Sequence, residues 1–346
     1  MNLHELFQYP IIQGPMAGGP STPTLVAAAS NAGVLGSFAA SLLTSEAMLE
    51  QIGQIRALTQ RPFAVNLFVQ RTPQPSADEV AQAAQLLKPI WSALGWQELP
   101  TPAKWCEDFN AQFDALVAAA PAVASFTFDI LNVAQVARLH AAGIFVIGTV
   151  TTVAEGLAWQ AVGADAVVAS GVESGGHRGT FLGPQTDATL GTADLLRQMV
   201  GTLDIPIISA GGIMHGAGIA ELLALGASAV QMGTAFLVSD ESGIHPAYKQ
   251  RLLNAGQQPT RLTRAFSGRY ARGLENRFMD LMQPVEKLLP LYPVQNALTG
   301  SIRAAAAKAG ETEFMSLWAG ASVNLARAMP VAQLVQTLVE EMKAAT

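Results

Sequence analysis

The chain has 346 residues, of which half are hydrophobic and only 13% charged, with a net charge of −6. This length and apolar content suit one large or two ordinary domains with a sizeable buried core. The absence of any basic stripe argues against nucleic acid as a partner, and Cys106, the single cysteine, excludes an intrachain disulfide.

The opening segment MNLHELFQYP has no basic stretch leading into an apolar one, so no secretory leader is expected. The first strand is predicted near 10–16 (PIIQGPM). A helix, TPTLVAAASNAG, follows, with Thr22 as N-cap, Pro23 at its first position and Gly33 as its stop. Next come a strand at 34–40, a helix near 44–58 and a strand at 63–69. Further strands are predicted at 122–128, 144–150, 164–170, 205–212 and 229–236. The most membrane-like run, 222–238, is interrupted by Gly226, Ser228, Gln231, Gly233 and Thr234. It reads as a helix end, a turn and a strand rather than a membrane span.

The eight predicted strands are apolar on both faces, as buried parallel strands are. Their alternation with helical segments predicts an α/β fold, and eight units predict a closed TIM (β/α)8 barrel. A doubly wound open sheet is the alternative. However, the chain reads GPMAGGPS after Gln13 and lacks the G-x-G-x-x-G fingerprint. Two regions exceed a minimal barrel. Residues 71–121 contain helical stretches at 78–94 and about 105–120, and the chain from about 250 onward reads as mostly helical. The expected division is a barrel of residues 1–70 and 121–250, with a helical substrate/lid domain of residues 71–120 and 251–346 over one mouth.

In a parallel barrel the site lies at the C-terminal ends of the strands. There the chain places Met16, Asn66 within an apolar strand, the Gly-rich stretch GVESGGHRGTF after Ser170, the sequence AGG around Gly212, and Gln231-Met232-Gly233-Thr234. Singly, the glycine pairs read as tight turns. On consecutive units, with a helix start beyond, they read as a grip for a phosphate. Asn66 is either a structural amide or a contact to a planar heterocycle. His177 is a loop histidine or a proton-transfer group, and four glycines in nine residues bring its backbone close to any ligand. Arg178 is a ligand contact, a partner of a carboxylate, or a surface residue. The five histidines are scattered, so no metal site is expected, and without a G-x-S-x-G elbow a serine hydrolase is rejected.

Taken together, PIIQGPMAGGPSTPTLVAAASNAGVLGS, NLFV, ESGGHRGTF, ISAGGI, GASAVQMGTAFL and FSGRYARGLENRF resemble the nitronate monooxygenase family, most closely its class I members. The resemblance implies a barrel flavoprotein that holds FMN without a covalent bond. It would oxidise alkyl nitronates, such as propionate 3-nitronate, with dioxygen to a carbonyl compound and nitrite. It makes His177 the base and Met16, Asn66, Ser170, Gly175, Gly212, Gln231, Met232, Gly233 and Thr234 the cofactor contacts. The implied partners are a small-molecule substrate and dioxygen, with a homodimer left open; a cytoplasmic location is expected, and no membrane association. Three positions depart from the family pattern: Ser170 and Ala321 stand where Gln is usual, and Ile90 where Tyr is usual. All three are expected near the pocket. The competing readings are another FMN oxidoreductase, such as an NAD(P)H-dependent enoyl-acyl-carrier-protein reductase, and a non-redox barrel that binds a phosphorylated ligand.

Overall fold

The computed structural model describes residues 2–257 and 259–345. Its strands, in chain order, are β1 (Ile11–Gln13), β2 (Gly36–Ala39), β3 (Phe63–Phe68), β4 (Val123–Thr127), β5 (Phe145–Val150), β6 (Ala166–Ser170), β7 (Gly176–His177), β8 (Ile207–Ala210), β9 (Ala229–Met232), β10 (Thr260–Thr263) and β11 (Ala271–Leu274). Eight of them form a parallel sheet in the order β1-β9-β8-β6-β5-β4-β3-β2. A parallel bridge from Ile12 to Leu35 joins β1 to the β2 side and closes the ring. The barrel expectation therefore holds.

Side chains alternate across a strand, and here the alternation also decides where chemistry can sit. One set (Ile12, Ala64, Val123, Phe145, Ile147, Ala166, Val168, Ile208 and Ala229) fills the barrel interior with Leu3 and Leu6. The other set (Ile11, Val65, Leu67, Ala124, Val146, Val167, Ala169 and Val230) packs outward in a separate core that includes the surrounding helices. Continuing the inward set towards the strand C-termini gives Asn66, Ser125, Thr127, Thr149, Ser170 and Gln231. The interior is thus apolar at one end and polar at the other.

The first helices form where their caps allow. Thr22 accepts from the amide of Leu25 to start Pro23–Asn31, and Thr44 accepts from Ala47 to start Ser45–Leu58. The 78–94 stretch is divided into Ala77–Leu86 and Lys88–Ala93, with Pro89 in the first turn of the second helix. The strand expected over 229–236 stops at Met232 and turns into the short helix Thr234–Leu237. Among the described residues no helix is long and apolar enough to cross a membrane.

Two expectations about the second layer are corrected. First, the chain beyond 250 is mostly helical as expected but also holds an unexpected small sheet: β10 and β11 pair antiparallel, and β11 pairs with β7, setting His177 opposite Ala271. Second, two segments assigned to the lid belong to the barrel wall. Phe109, Phe113 and Leu116 of the helix Phe109–Ala119 join the outer barrel core, as do Val331, Leu334, Val335 and Leu338 of the C-terminal helix Val331–Ala344. What remains over the C-terminal mouth has its own core, including Leu87, Ile90, Trp91, Phe266, Phe278, Leu298 and Ile302.

Candidate active site

A cavity of about 670 Å³ lies between the polar end of the barrel and this second layer. All ten residues singled out from the sequence line it: Met16, Asn66, Ser170, Gly175, His177, Gly212, Gln231, Met232, Gly233 and Thr234. Their separation along the chain is bridged by the parallel register, which brings the ends of β3, β6, β8 and β9 to one rim.

At one side of the cavity the backbone is bare. Gly211 and Gly212 have φ of 123° and 70°, in the region that side chains disfavour. The amides of Gly212 and Gly233 donate to no carbonyl among the described residues. Gly320 and Ser322, from the C-terminal segment, complete this side, and the Gly320 amide donates to Thr234 Oγ1 at 2.9 Å. A Cβ on Gly175 would stand 2.5 Å from the Gly320 nitrogen, so Gly175 is required for the two segments to touch. The expected helix start beyond β8 does not face this side freely. In the helix Gly216–Ala224, the Gly216 amide donates to Glu341 and the Gly218 amide to the His215 ring. An anion here would be held by loop amides, without that helix's first turn.

Asn66 is a structural amide and a presented acceptor at once. Its Nδ2 donates to Ser125 O, Ser125 Oγ and Thr127 Oγ1 at 3.2, 3.0 and 3.3 Å. With Nδ2 committed, Oδ1 is left facing the cavity as an acceptor. Thr127 and Thr149 continue the polar ring through a 3.2 Å hydroxyl contact.

His177 sits on β7, held by the pairing with β11, among Phe68, Phe128, Tyr292 and Trp318, whose ring centroids lie 5.4–6.5 Å away. Its Nε2 is 2.8 Å from Ser267 Oγ. That hydroxyl donates to Arg269 O at 3.0 Å and also receives the Arg269 amide. The hydroxyl proton is therefore taken, so Nε2 carries the imidazole proton and Nδ1 keeps its lone pair. Burial, with Arg269 and Arg303 nearby, pushes the pKa of the ring down to about 3. His177 is a neutral imidazole throughout the physiological range.

The neighbouring arginines hold the loop. Arg178 is buried and donates to Ser170 O, Gly171 O and Ala188 O, so it is neither a ligand contact nor a surface residue. Arg269 donates to Arg178 O at 2.8 Å and to Thr180 O, and lies 4.2 Å from the Phe128 ring centroid. Glu155 was not marked by any sequence signal. It is fully buried and accepts from Thr151 N and Oγ1 and from the amides of Phe181 and Leu182 at 2.6–3.0 Å. Tyr292, Asn296, Arg303 and Trp318 also line the cavity and were missed.

The three departures from the family pattern are placed differently from expectation. Ser170 does line the cavity, donating to Ser174 Oγ at 2.9 Å. Ile90 is fully buried in the second core, and Ala321 is exposed; neither lines the cavity, so neither side chain meets a ligand there.

Comparison with known proteins identifies the family. The nitronate monooxygenase family profile matches residues 1–341. A probable nitronate monooxygenase of Staphylococcus aureus strain Newman is 39% identical over 336 residues, covering 97% of this chain and 94% of that protein. The solved nitroalkane oxidase of Streptomyces ansochromogenes superposes with a TM-score of 0.93 at 43% identity, over 99% of this chain and 98% of that one. FabK from Thermotoga maritima superposes with a TM-score of 0.76 at 30% identity, over 98% and 94%. The chain belongs to the nitronate monooxygenase family, a family of FMN-dependent enzymes.

Proposed function

We propose that this protein binds FMN in the cavity and oxidises alkyl nitronates with dioxygen to a carbonyl compound and nitrite, propionate 3-nitronate being one substrate. The observation that carries the reading is the joining, in one cavity, of the bare amides near Gly212 and Gly233 with the neutral His177 in its aromatic surround. The donor set suits the cofactor. Loop amides at Gly212 and Gly233 would take the phosphate, while the free Oδ1 of Asn66 and the unpaired amide of Gln231 would meet the edge of a polar heterocycle. Met16 and Ser170 would flank it. When bound, FMN supplies the redox chemistry.

The chain's own residues orient the substrate and manage one proton. Phe68, Phe128, Tyr292 and Trp318 surround His177 with aromatic rings, and its Nδ1 would be the acceptor. A ring pushed down to about 3 is a weak base towards a neutral nitroalkane, whereas an anionic nitronate needs no proton removed. The deprotonated nitronate is therefore the preferred substrate, and His177→Ala chiefly harms the use of neutral nitroalkanes. The likeness to nitroalkane oxidase, stronger than that to FabK, supports this reading over an NAD(P)H-dependent reductase.

The visible spectrum after reconstitution with FMN tests the cofactor step. Oxidised-flavin bands that survive gel filtration and resist rapid anaerobic bleaching by NADH are expected. A colourless protein rejects the flavin assignment, and rapid bleaching without nitronate turnover transfers the site to the reductase class.

A further inference from the structure

One wall of the cavity comes from residues 292–307. Gly300, Arg303, Ala304 and Ala307 stand at i, i+3, i+4 and i+7 along the helix Gly300–Ala309, so they share one face, and all four line the cavity with Asn296 and Tyr292. A Cβ on Gly300 would meet nothing within 4 Å, so small side chains leave room for a ligand here.

Into this space the wall presents one cation. Among the described residues Arg303 is the only Arg or Lys lining the cavity, no Asp or Glu lines it, and Arg303 makes no ion pair. Its Nη2 donates to Asn296 O at 2.8 Å and Oδ1 at 3.0 Å, and its Nε donates to Thr299 Oγ1 at 3.3 Å. Nη1 has no partner among the described residues. Burial lowers its pKa only to about 10, so the charge persists at neutral pH. Beside it, the Tyr292 hydroxyl is buried without a hydrogen-bond partner. Both a partly buried charge without a counter-ion and an unsatisfied buried hydroxyl are costly. One kind of ligand relieves both: a planar anion with two oxygens, one for the guanidinium and one for the phenol.

We propose that Arg303 and Tyr292 form a subsite for a planar two-oxygen anion of the substrate, either its nitronate or a carboxylate on the same molecule. The inference rests on nitronate oxidation in this cavity and names the residues that select anionic substrates.

Two comparisons on flavin-loaded protein test it, in wild type, Arg303→Met, Arg303→Lys and Tyr292→Phe. Calorimetric titration compares 3-nitropropionate with the neutral 1-nitropropane, and steady-state KM is measured for ethylnitronate and nitroethane. Wild type is expected to bind 3-nitropropionate more tightly than 1-nitropropane, or to favour ethylnitronate over nitroethane in KM. Arg303→Met weakens the anionic ligand by about 10- to 100-fold, the range of a lost charge-assisted hydrogen bond, and changes the neutral one by less than about twofold. Arg303→Lys recovers part of the loss, and Tyr292→Phe loses several-fold. A loss confined to 3-nitropropionate identifies the carboxylate as the bound anion; a loss that extends to ethylnitronate identifies the nitronate. Unchanged anion preference in Arg303→Met or, where that variant does not fold, in both Arg303→Lys and Tyr292→Phe overturns the subsite. Equal losses for neutral and anionic ligands also overturn it. Calorimetry reads binding without turnover, so a failure of nitronate oxidation itself remains distinguishable.

Discussion

Glu155→Gln isolates the carboxylate that ties the His177 segment to the barrel. Glu155 Oε2 accepts from Thr151 N at 2.6 Å and Oγ1 at 2.8 Å, and Oε1 accepts from Phe181 N at 2.6 Å and Leu182 N at 3.0 Å. Glutamine has the same shape but must aim its amide nitrogen at one pair of donors. Facing it towards Thr151 is the cheaper choice, because the Thr151 hydroxyl can reverse and donate instead to Thr180 Oγ1, 2.8 Å away. The substitution then loses the charge on every remaining bond and leaves the Thr151 amide facing another donor. Hydrogen bonds to charged groups contribute about 1.5–3 kcal/mol each, so a net loss of about 2–4 kcal/mol is expected. Equilibrium urea unfolding, read with an unchanged m-value, measures it. A loss below about 1 kcal/mol would falsify the assignment of Glu155 as the anchor of residues 178–182.

Three further outcomes are expected. Gly175→Ala drives a Cβ against backbone, 2.5 Å from Gly320 N and 2.6 Å from Ala319 C, so nitronate turnover and flavin retention both fall at least about tenfold; equilibrium dialysis with FMN checks this, and wild-type affinity contradicts it. His177 is pushed from its ordinary 6.5 down to about 3 when folded, so between these values the unfolded chain binds the extra proton. Stability is therefore lost as pH falls below 6.5, by up to about 1.4 kcal/mol per unit. Relative to His177→Asn, wild type should lose about 2 kcal/mol more between pH 7 and pH 5; parallel curves contradict the lowered pKa of the ring. Ser267→Ala frees the Nε2 proton to move to Nδ1, so kcat on neutral nitroalkanes falls about tenfold while ethylnitronate is little affected; equal loss on both substrates indicates a packing role instead.

The barrel was readable because each strand is a short apolar run stopped by small or polar residues, as in VNLFV and ISAGG. The helix starts at Thr22 and Thr44 were readable because capping is local. The antiparallel sheet was not. Its strands are two to four residues long, and TRLT and ARGL carry arginines and no period long enough to count. The apolar faces of Phe109–Ala119 and Val331–Ala344 announced burial but could not say against which core. In the site, residues at strand ends were found because the fold gathers all such ends at one rim. Tyr292 and Arg303 approach from the second layer, and their importance comes from missing partners, which only packing reveals. Arg178 misled for the opposite reason: beside His177 in the sequence, it turns inward to bind carbonyls.

The most direct measurement is oxygen uptake with nitrite formation by FMN-reconstituted protein supplied with ethylnitronate and, separately, nitroethane at the same pH. The account predicts dioxygen consumption accompanied by nitrite, with ethylnitronate turned over at least about tenfold faster than nitroethane because the neutral His177 is a weak base. A flavin-loaded protein that consumes no oxygen with ethylnitronate would contradict it.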